Sequence, residues 1–201
     1  YYNFNLHLNS TNVCEANCIF CSFSRLKTGM PQAFAMSIPE CMEWIQKRVH
    51  PRMTEIHIVN GLNPDLEYSY YPDLLRAIKT NFPFLHIKAF TAVEIHYFAI
   101  KFGMTYEEVF KSLVDAGLGS MPGGGAELFP TRVRKKLCHD KVDGEGWLKI
   151  HDTAHRMGLK SNCTMLYGTI EKLEERVEHL LALRKQQDRS GGFQAFIPLA
   201  Y

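Results

Sequence analysis

Three cysteines near the start of the chain are the residues whose spacing most clearly indicates chemistry. Cys14, Cys18 and Cys21 stand within eight residues in the stretch CEANCIFC, and no fourth cysteine follows nearby. A structural zinc site usually has two closely spaced pairs of Cys or His ligands, separated by a dozen or more residues. This chain has instead a single group of three cysteines. Three thiolates suit an iron–sulfur cluster of four irons, with one iron left open to bind a substrate or cofactor.

Two other interpretations of the cysteines remain open at this point. They could be three unconnected buried thiols, or they could bind zinc with His50 or His57 as a further ligand, although both histidines lie beyond a predicted helix. The apolar residues Ile19, Phe20 and Phe23 favour the cluster, because they would shield a redox centre from water. The other three cysteines are scattered and suggest no disulfide framework, as expected in a reducing compartment.

The composition is that of an ordinary globular chain. Its 201 residues are 46% hydrophobic and 22% charged, which is enough for one full core and short for two domains. The formal net charge of +2 provides no strong field toward nucleic acid or anionic lipid. No apolar run is long enough to cross a bilayer, and no signal peptide is recognisable. We therefore expect a single cytoplasmic domain over residues 1–201 without nucleic-acid or membrane partners.

Strand-like and helix-like segments alternate along the chain, and they must position the cysteine loop. Six strands are predicted, over residues 5–9, 54–60, 85–90, 118–121, 161–167 and 193–199. Capping boxes mark three helix starts at Ser37–Glu40, Thr91–Glu94 and Thr105–Glu108, and the first helix should run to about Val49. This alternation implies parallel strands in an open doubly wound sheet or in a whole or partial (β/α) barrel. In either architecture, active residues gather at the carboxyl ends of the strands.

Glycines and polar residues stand where the predicted strands end. Asn60 and Gly61 follow the second strand, where they form either a tight turn or a ligand contact on the active rim. Gly123, Gly124 and Gly125 follow the fourth strand, where a backbone without side chains allows a ligand to approach closely. A flexible loop is the plain alternative for this glycine run.

Cationic side chains near the same rim could meet an anionic ligand. Alternation along the third strand places His86, Lys88 and Phe90 on one face, and a lysine inside a barrel needs an anion beside it. Arg132 and Arg134 follow the glycine run, and either could bind a carboxylate with two hydrogen bonds.

The stretch CEANCIFC has the C-x3-C-x-aromatic-C form of the radical S-adenosylmethionine (SAM) superfamily, which the chain resembles. The resemblance implies an α/β fold, a partial (β/α)6 TIM-type barrel of parallel strands. It also implies that Cys14, Cys18 and Cys21 hold a 4Fe–4S cluster whose open iron binds SAM. One electron then cleaves SAM and releases a 5′-deoxyadenosyl radical. Since the chain stops just after its sixth strand, we expect a radical SAM core domain that lacks the C-terminal part of the full-length enzyme.

The resemblance and the rim positions together give a set of predicted site residues. Predicted cofactor contacts are Phe20, Asn60, Gly61, Thr91, Glu94 and Arg134. Predicted substrate contacts are His57, Lys88, Gly124, Gly125 and Tyr167. For Thr91 and Glu94, the capping box itself is the structural alternative.

Within the superfamily, the chain resembles the radical enzymes of the futalosine route to menaquinone. The stretches HIVNGLNPDL, HIKAFTAVEI and PGGGAELF carry this resemblance, and VNG and FTAVEI favour the aminofutalosine synthases over their sister group, the dehypoxanthine futalosine cyclases. The implied reaction adds the radical to 3-[(1-carboxyvinyl)oxy]benzoate, an aromatic dicarboxylate, with rearrangement and decarboxylation. SAM is then a co-substrate, and the electron comes from a donor such as flavodoxin or ferredoxin. Asn63 and Thr169 depart from the pattern, which has histidine at both positions.

Overall fold

The computed structural model describes residues 3–201, in which strands and helices alternate. The strands are β1 (Asn5–Leu8), β2 (Glu55–Ile58), β3 (His86–Ala89), β4 (Ser120–Met121), β5 (Lys160–Tyr167) and β6 (Phe193–Ala200). The helices are α1 (Ile38–Gln46), α2 (Tyr70–Asn81), α3 (Ala92–Phe102), α4 (Tyr106–Asp115), α5 (Thr131–Leu137), α6 (Gly144–Arg156) and α7 (Leu173–Ser190). None of these helices is both long and apolar enough to cross a membrane.

The six strands form one parallel sheet, paired in chain order from β1 to β6. The sheet is curled into a half-barrel, which confirms the predicted partial (β/α)6 barrel. The doubly wound alternative is wrong, because that fold reverses its strand order at a switch point. All three predicted capping boxes are present. The first helix ends at Gln46, earlier than predicted, and α5 was not predicted at all.

Alternation along the first three strands separates an apolar face from a polar one. Leu6, Leu8, Ile56, Ile58 and Ile87 are buried beneath the surrounding helices. The intervening positions are mostly polar and turn toward the concave side of the sheet, where neighbouring strands place them side by side. This polar layer consists of His7, Glu55, His57, His86 and Lys88.

Phe90 corrects the predicted alternation on the third strand. Its φ of +56° takes the chain out of the strand, so Phe90 does not share a face with His86 and Lys88. The ring lies instead in the core, with its centroid 5.6 Å from that of Tyr71 and 5.4 Å from that of Phe98. A left-handed backbone at a bulky residue is strained. Here burial of the ring offsets that strain, at the point where β3 gives way to the α3 cap.

Candidate active site

A single pocket at the carboxyl ends of the strands brings the three clustered cysteines together. It contains about 730 Å³ of empty space, part of it open to solvent. Nine predicted site residues line it, namely Cys14, Cys18, Phe20, Cys21, Asn60, Gly61, Thr91, Gly124 and Gly125. The other lining residues are Asn9, Ala16, Phe23, Ser24, Val59, Leu62, Val93 and Lys141. The lining is mostly apolar, so charges placed in the pocket are weakly screened.

The cysteine loop is held by hydrogen bonds to segments on several sides. The amide of Cys14 donates to the carbonyl of Arg25 (2.8 Å), and the amide of Glu15 donates to the carbonyl of Leu62 beyond β2 (3.0 Å). The Arg25 guanidinium donates to several carbonyls of its own turn, including those of Ser22 and Ser24. The cysteine backbone is therefore fixed by its surroundings, as a metal-binding loop requires.

Gly61 allows the chain after β2 to pass directly beneath the cysteine loop. A Cβ atom on Gly61 would lie 2.2 Å from the carbonyl oxygen of Val13, the residue before Cys14. The Gly61 amide also donates to the carbonyl of Thr11 (3.0 Å). Only glycine permits this approach without displacing the loop.

The glycine run after β4 closes the opposite side of the pocket. A Cβ on Gly125 would lie 2.3 Å from Cγ2 of Val93, and Gly125 has a φ of +82°, which favours glycine. The indole Nε1 of Trp147 donates to the carbonyl of Gly124 (3.2 Å) and anchors the run. These contacts give the run a defined conformation along one wall of the pocket.

The thiols suit a cluster of several irons better than one metal ion. Among residues 3–201, no group of three or more His, Cys, Asp and Glu side chains is close enough together to hold a metal ion. A zinc ion draws all its ligand atoms to about 2.0–2.3 Å from one point. A cluster presents several separate irons, so its thiolates bind at separate points, and these three cysteines line one pocket. Burial raises the pKa of the Cys14 thiol, and that of Cys18 to about 11. Metal binding must therefore displace protons from these thiols.

Comparison with known proteins identifies the family of the chain that carries this pocket. The family model described as the radical SAM superfamily matches residues 8–183. The chain belongs to the radical SAM superfamily. Members of this family use a 4Fe–4S cluster and SAM, and the cysteine pocket fits both. Methylornithine synthase PylB has the same fold, with a TM-score of 0.72 at 13% identity over 98% of this chain and 53% of that one.

Curated relatives cover the whole chain. Two proteins named aminodeoxyfutalosine synthase, from Thermus thermophilus and Streptomyces coelicolor, are each 48% identical over 201 residues. A protein from Methanothermobacter thermautotrophicus is 39% identical over 98% of the chain, and its name is 5-amino-6-(D-ribitylamino)uracil–L-tyrosine 4-hydroxyphenyl transferase. The chain spans about half the length of these relatives: 54%, 52% and 53% respectively.

Five predicted site residues of this radical SAM domain do not line the pocket, and Glu94 is one of them. It is fully buried, where Oε1 accepts from the Asn60 amide (3.0 Å) and Oε2 accepts from the Thr91 amide (2.8 Å). Burial raises the Glu94 pKa to about 7, and these hydrogen bonds oppose the rise. Glu94 therefore ties the α3 cap to the chain after β2 and holds Asn60 and Thr91 at the pocket wall.

Arg134 supports the glycine wall from behind. Its guanidinium is buried and donates to the carbonyl of Ala126 (2.6 Å) and to that of Val142. Its other described hydrogen bonds go to the carbonyl of Gly125, and Arg134 does not line the pocket, so the cofactor contact stays a prediction. Arg132 is paired as well, through Nη2 to Oε2 of Glu175 (2.5 Å).

His57 and Lys88 lie in the polar layer inside the half-barrel. Lys88 already has an anion, because its Nζ is 2.8 Å from Oε2 of Glu55. The ring of His57 stacks on that of His7, with centroids 5.0 Å apart and an interplanar angle of 14°. Burial lowers the pKa of His57 to about 4, so it is neutral at pH 7. Its Nε2 is buried and has no hydrogen-bond partner among the described residues.

Tyr167 and the two positions that depart from the family pattern lie outside the pocket. Tyr167 is the last residue of β5. The guanidinium carbon of Arg176 lies over the Tyr167 ring, 5.2 Å from the ring centroid. The Thr169 hydroxyl donates to Oε2 of Glu171 (2.9 Å), within the turn that leads to α7. Asn63 is fully buried, and its Nδ2 donates to Oγ1 of Thr11 (2.9 Å). In this chain both residues stabilise loops.

Lys141 is the charged pocket residue that the sequence did not reveal. It follows α5 in the stretch CHDKVDG, which has the composition of an ordinary solvated loop. Its Nζ lies 2.7 Å from Oε1 of Glu127 and 5.2 Å from the centroid of the Phe20 ring. The only available signal was its position in the loop after β4, on the active rim of the barrel.

Proposed function

We propose that this chain is the radical core of an aminofutalosine synthase, a transferase of menaquinone biosynthesis. The observation that carries the proposal is 48% identity along the whole chain to two proteins of that name. Identity to the tyrosine-using transferase is lower, at 39%. The proposed reaction joins the adenosyl-derived group of SAM to 3-[(1-carboxyvinyl)oxy]benzoate, with rearrangement and decarboxylation, and gives 6-amino-6-deoxyfutalosine.

The pocket supports this proposal through the roles open to its residues. The bound cluster supplies the electron that cleaves SAM. Cys14, Cys18 and Cys21 would hold the cluster, while Phe20 and the apolar lining exclude water, which a radical reaction needs. Asn60 and Gly61 line the same pocket and would contact the cofactor there.

The polar layer beneath the pocket is the proposed site for the aromatic dicarboxylate. Asn9 lines the pocket, and its Nδ2 lies 3.3 Å from Nε2 of His7, so polar contacts continue from the pocket to the stacked histidines. Nε2 of His57 is a free donor or acceptor at the end of this path. We propose that His57 and Lys88 contact a substrate carboxylate, which would share the ammonium of Lys88 with Glu55. Gly124, Gly125 and Tyr167 complete the proposed substrate contacts.

The test reconstitutes the protein anaerobically with iron and sulfide and supplies SAM with a reductant. Three parallel incubations contain the aromatic dicarboxylate, dehypoxanthine futalosine, or tyrosine with 5-amino-6-(D-ribitylamino)uracil. Formation of aminofutalosine in the first incubation alone, detected by mass spectrometry, is the expected result. Product in either of the others would reassign the chain to the cyclase or to the tyrosine-using transferase. One tightly held zinc in place of about four irons per chain would refute the radical chemistry itself.

The electron donor and the compartment are part of the same proposal. All six cysteines are free thiols, which suits a reducing compartment such as the cytoplasm. A flavodoxin or ferredoxin there would provide the electron. The proposal includes no nucleic-acid or membrane partner, consistent with the small net charge of +2.

A further inference from the structure

A buried ion pair stands in the wall of the cysteine pocket. Nζ of Lys141 lies 2.7 Å from Oε1 of Glu127, and the two side chains are only 16% and 11% exposed. The same ammonium lies over the ring of Phe20, the residue before Cys21. Both Lys141 and Cys18 line the pocket. A charge pair so placed acts on whatever the cysteines bind.

The backbone around this pair is arranged to hold it there. Glu127 has a φ of +44°, a left-handed conformation that is strained for a residue other than glycine. Its carbonyl accepts from the amide of Leu166 in β5 (3.0 Å), which fixes the strained residue to the sheet. On the other side, Oδ2 of Asp140 accepts from the amide of Asn17 in the cysteine loop (2.9 Å). The position of Lys141 relative to the cysteines is therefore fixed from both sides.

The ammonium is the stronger of the two charges at Cys18. Lys141 lines the pocket together with Cys18, whereas Glu127 is not among the lining residues. Burial alone would lower the pKa of Lys141, but the Glu127 carboxylate and the Cys18 thiolate both raise it, so the lysine stays protonated at neutral pH. The pair thus leaves a net positive potential at Cys18.

We propose that Lys141 is a positioning residue for electron entry, whose fixed positive charge beside Cys18 raises the reduction potential of the cluster held by the three cysteines. Reduction transfers one electron from the donor to the cluster and moves no atom or proton. It adds a negative charge in a mostly apolar pocket, where a nearby cation stabilises the reduced form more than it would in water. This proposal rests on the family cofactor and is independent of which substrate the enzyme uses.

The test compares variants of the reconstituted protein in a redox titration followed by electron paramagnetic resonance, without SAM. Lys141→Met keeps the length of the side chain and removes the charge, Lys141→Arg keeps the charge, and Glu127→Gln removes the opposing anion. Lys135→Met removes an exposed charge from α5 and serves as the control. Iron content per chain and the circular dichroism spectrum show whether each variant folds and loads its cluster.

We expect Lys141→Met to lower the equilibrium constant for reduction by about tenfold, which is 59 mV for one electron. Lys141→Arg should restore most of the potential, Glu127→Gln should raise it, and Lys135→Met should leave it unchanged. A fully loaded Lys141→Met protein with the wild-type potential would overturn the proposal. If Lys141→Met loads no iron, the Glu127→Gln titration decides, and a potential that does not rise refutes the proposal.

Discussion

Replacing Gly61 by alanine should displace the cysteine loop. The added Cβ would lie 2.2 Å from the Val13 carbonyl oxygen and 2.8 Å from its carbonyl carbon, whereas real Cβ atoms essentially never approach within 3.0 Å. Both contacts are with backbone, so no side chain can rotate away. The segments around Gly61 and Val13 must separate by about 1 Å, and overpacking of this kind destabilises a fold by about 1–3 kcal/mol.

The displacement acts directly on a predicted cluster ligand, because Val13 precedes Cys14. The hydrogen bonds from Gly61 to Thr11 and from Glu15 to Leu62 bridge the same two segments and would lengthen with them. We therefore expect the Gly61→Ala protein to bind well under half of the wild-type iron after reconstitution. The free energy of unfolding, from urea titration of the cluster-free protein, should fall by about 1–3 kcal/mol.

Two other glycines provide matched controls for this experiment. Gly158 has a φ of +84° and open space around it, so Gly158→Ala should reduce stability by about 1–2 kcal/mol without touching the cysteine loop. Gly124 lies in the pocket, but its Cβ would meet only the side-chain Cγ2 of Thr91 at 3.0 Å. Both variants should keep their iron. Wild-type iron and a stability change under about 0.5 kcal/mol in Gly61→Ala would refute the role given to this close contact.

Three further predictions concern buried ionisable side chains. Lys88→Met alone should destabilise the fold by about 3–5 kcal/mol, because it strands the Glu55 carboxylate, and adding Glu55→Leu should recover much of the loss in urea unfolding. Arg134→Met should lower the unfolding free energy by about 2–3 kcal/mol by leaving buried carbonyls without donors, and a loss below 0.5 kcal/mol would contradict its supporting role. Burial lowers the pKa of His179 to about 4 from 6.5, so its contribution is complete above pH 6.5 and is lost as the pH falls toward 4. At pH 5 this one residue should reduce stability by about 2 kcal/mol relative to pH 7, and His179→Gln should flatten that dependence.

The parts of the fold that the sequence predicts well are those with local causes. The capping boxes at Ser37, Thr91 and Thr105 each satisfy backbone donors within four residues, so their pattern is legible in the chain itself. Helix α5, with the sequence TRVRKKL, has no side-chain cap and is only seven residues long. Its helical state depends on burial of Val133 and Leu137, which is a tertiary cause.

The candidate site likewise contains residues that the sequence predicts and residues that it does not. The cysteines, Asn60 and the glycines were predicted because each residue type carries its own chemistry at a strand end. Arg134 was assigned to a carboxylate because that is its commonest strong partner, yet it meets carbonyls that only the folded loop provides. Lys141 was missed for the converse reason. Its partner Glu127 lies fourteen residues away, and the left-handed backbone that presents Glu127 has no mark in the sequence.

The cysteine loop contacts segments that come much later in the chain. The loop follows β1, but the Ile19 amide donates to the carbonyl of Leu137 (3.1 Å) and the Asn17 amide to Asp140, both beyond β4. The complete site therefore requires the segment after α5 as well as the cysteine loop itself. Because the thiols must lose protons to bind iron, and because cluster binding favours the folded loop, cluster insertion adds to stability. The segment 137–141 therefore helps to form the cysteine pocket although it is distant from the cysteines in sequence.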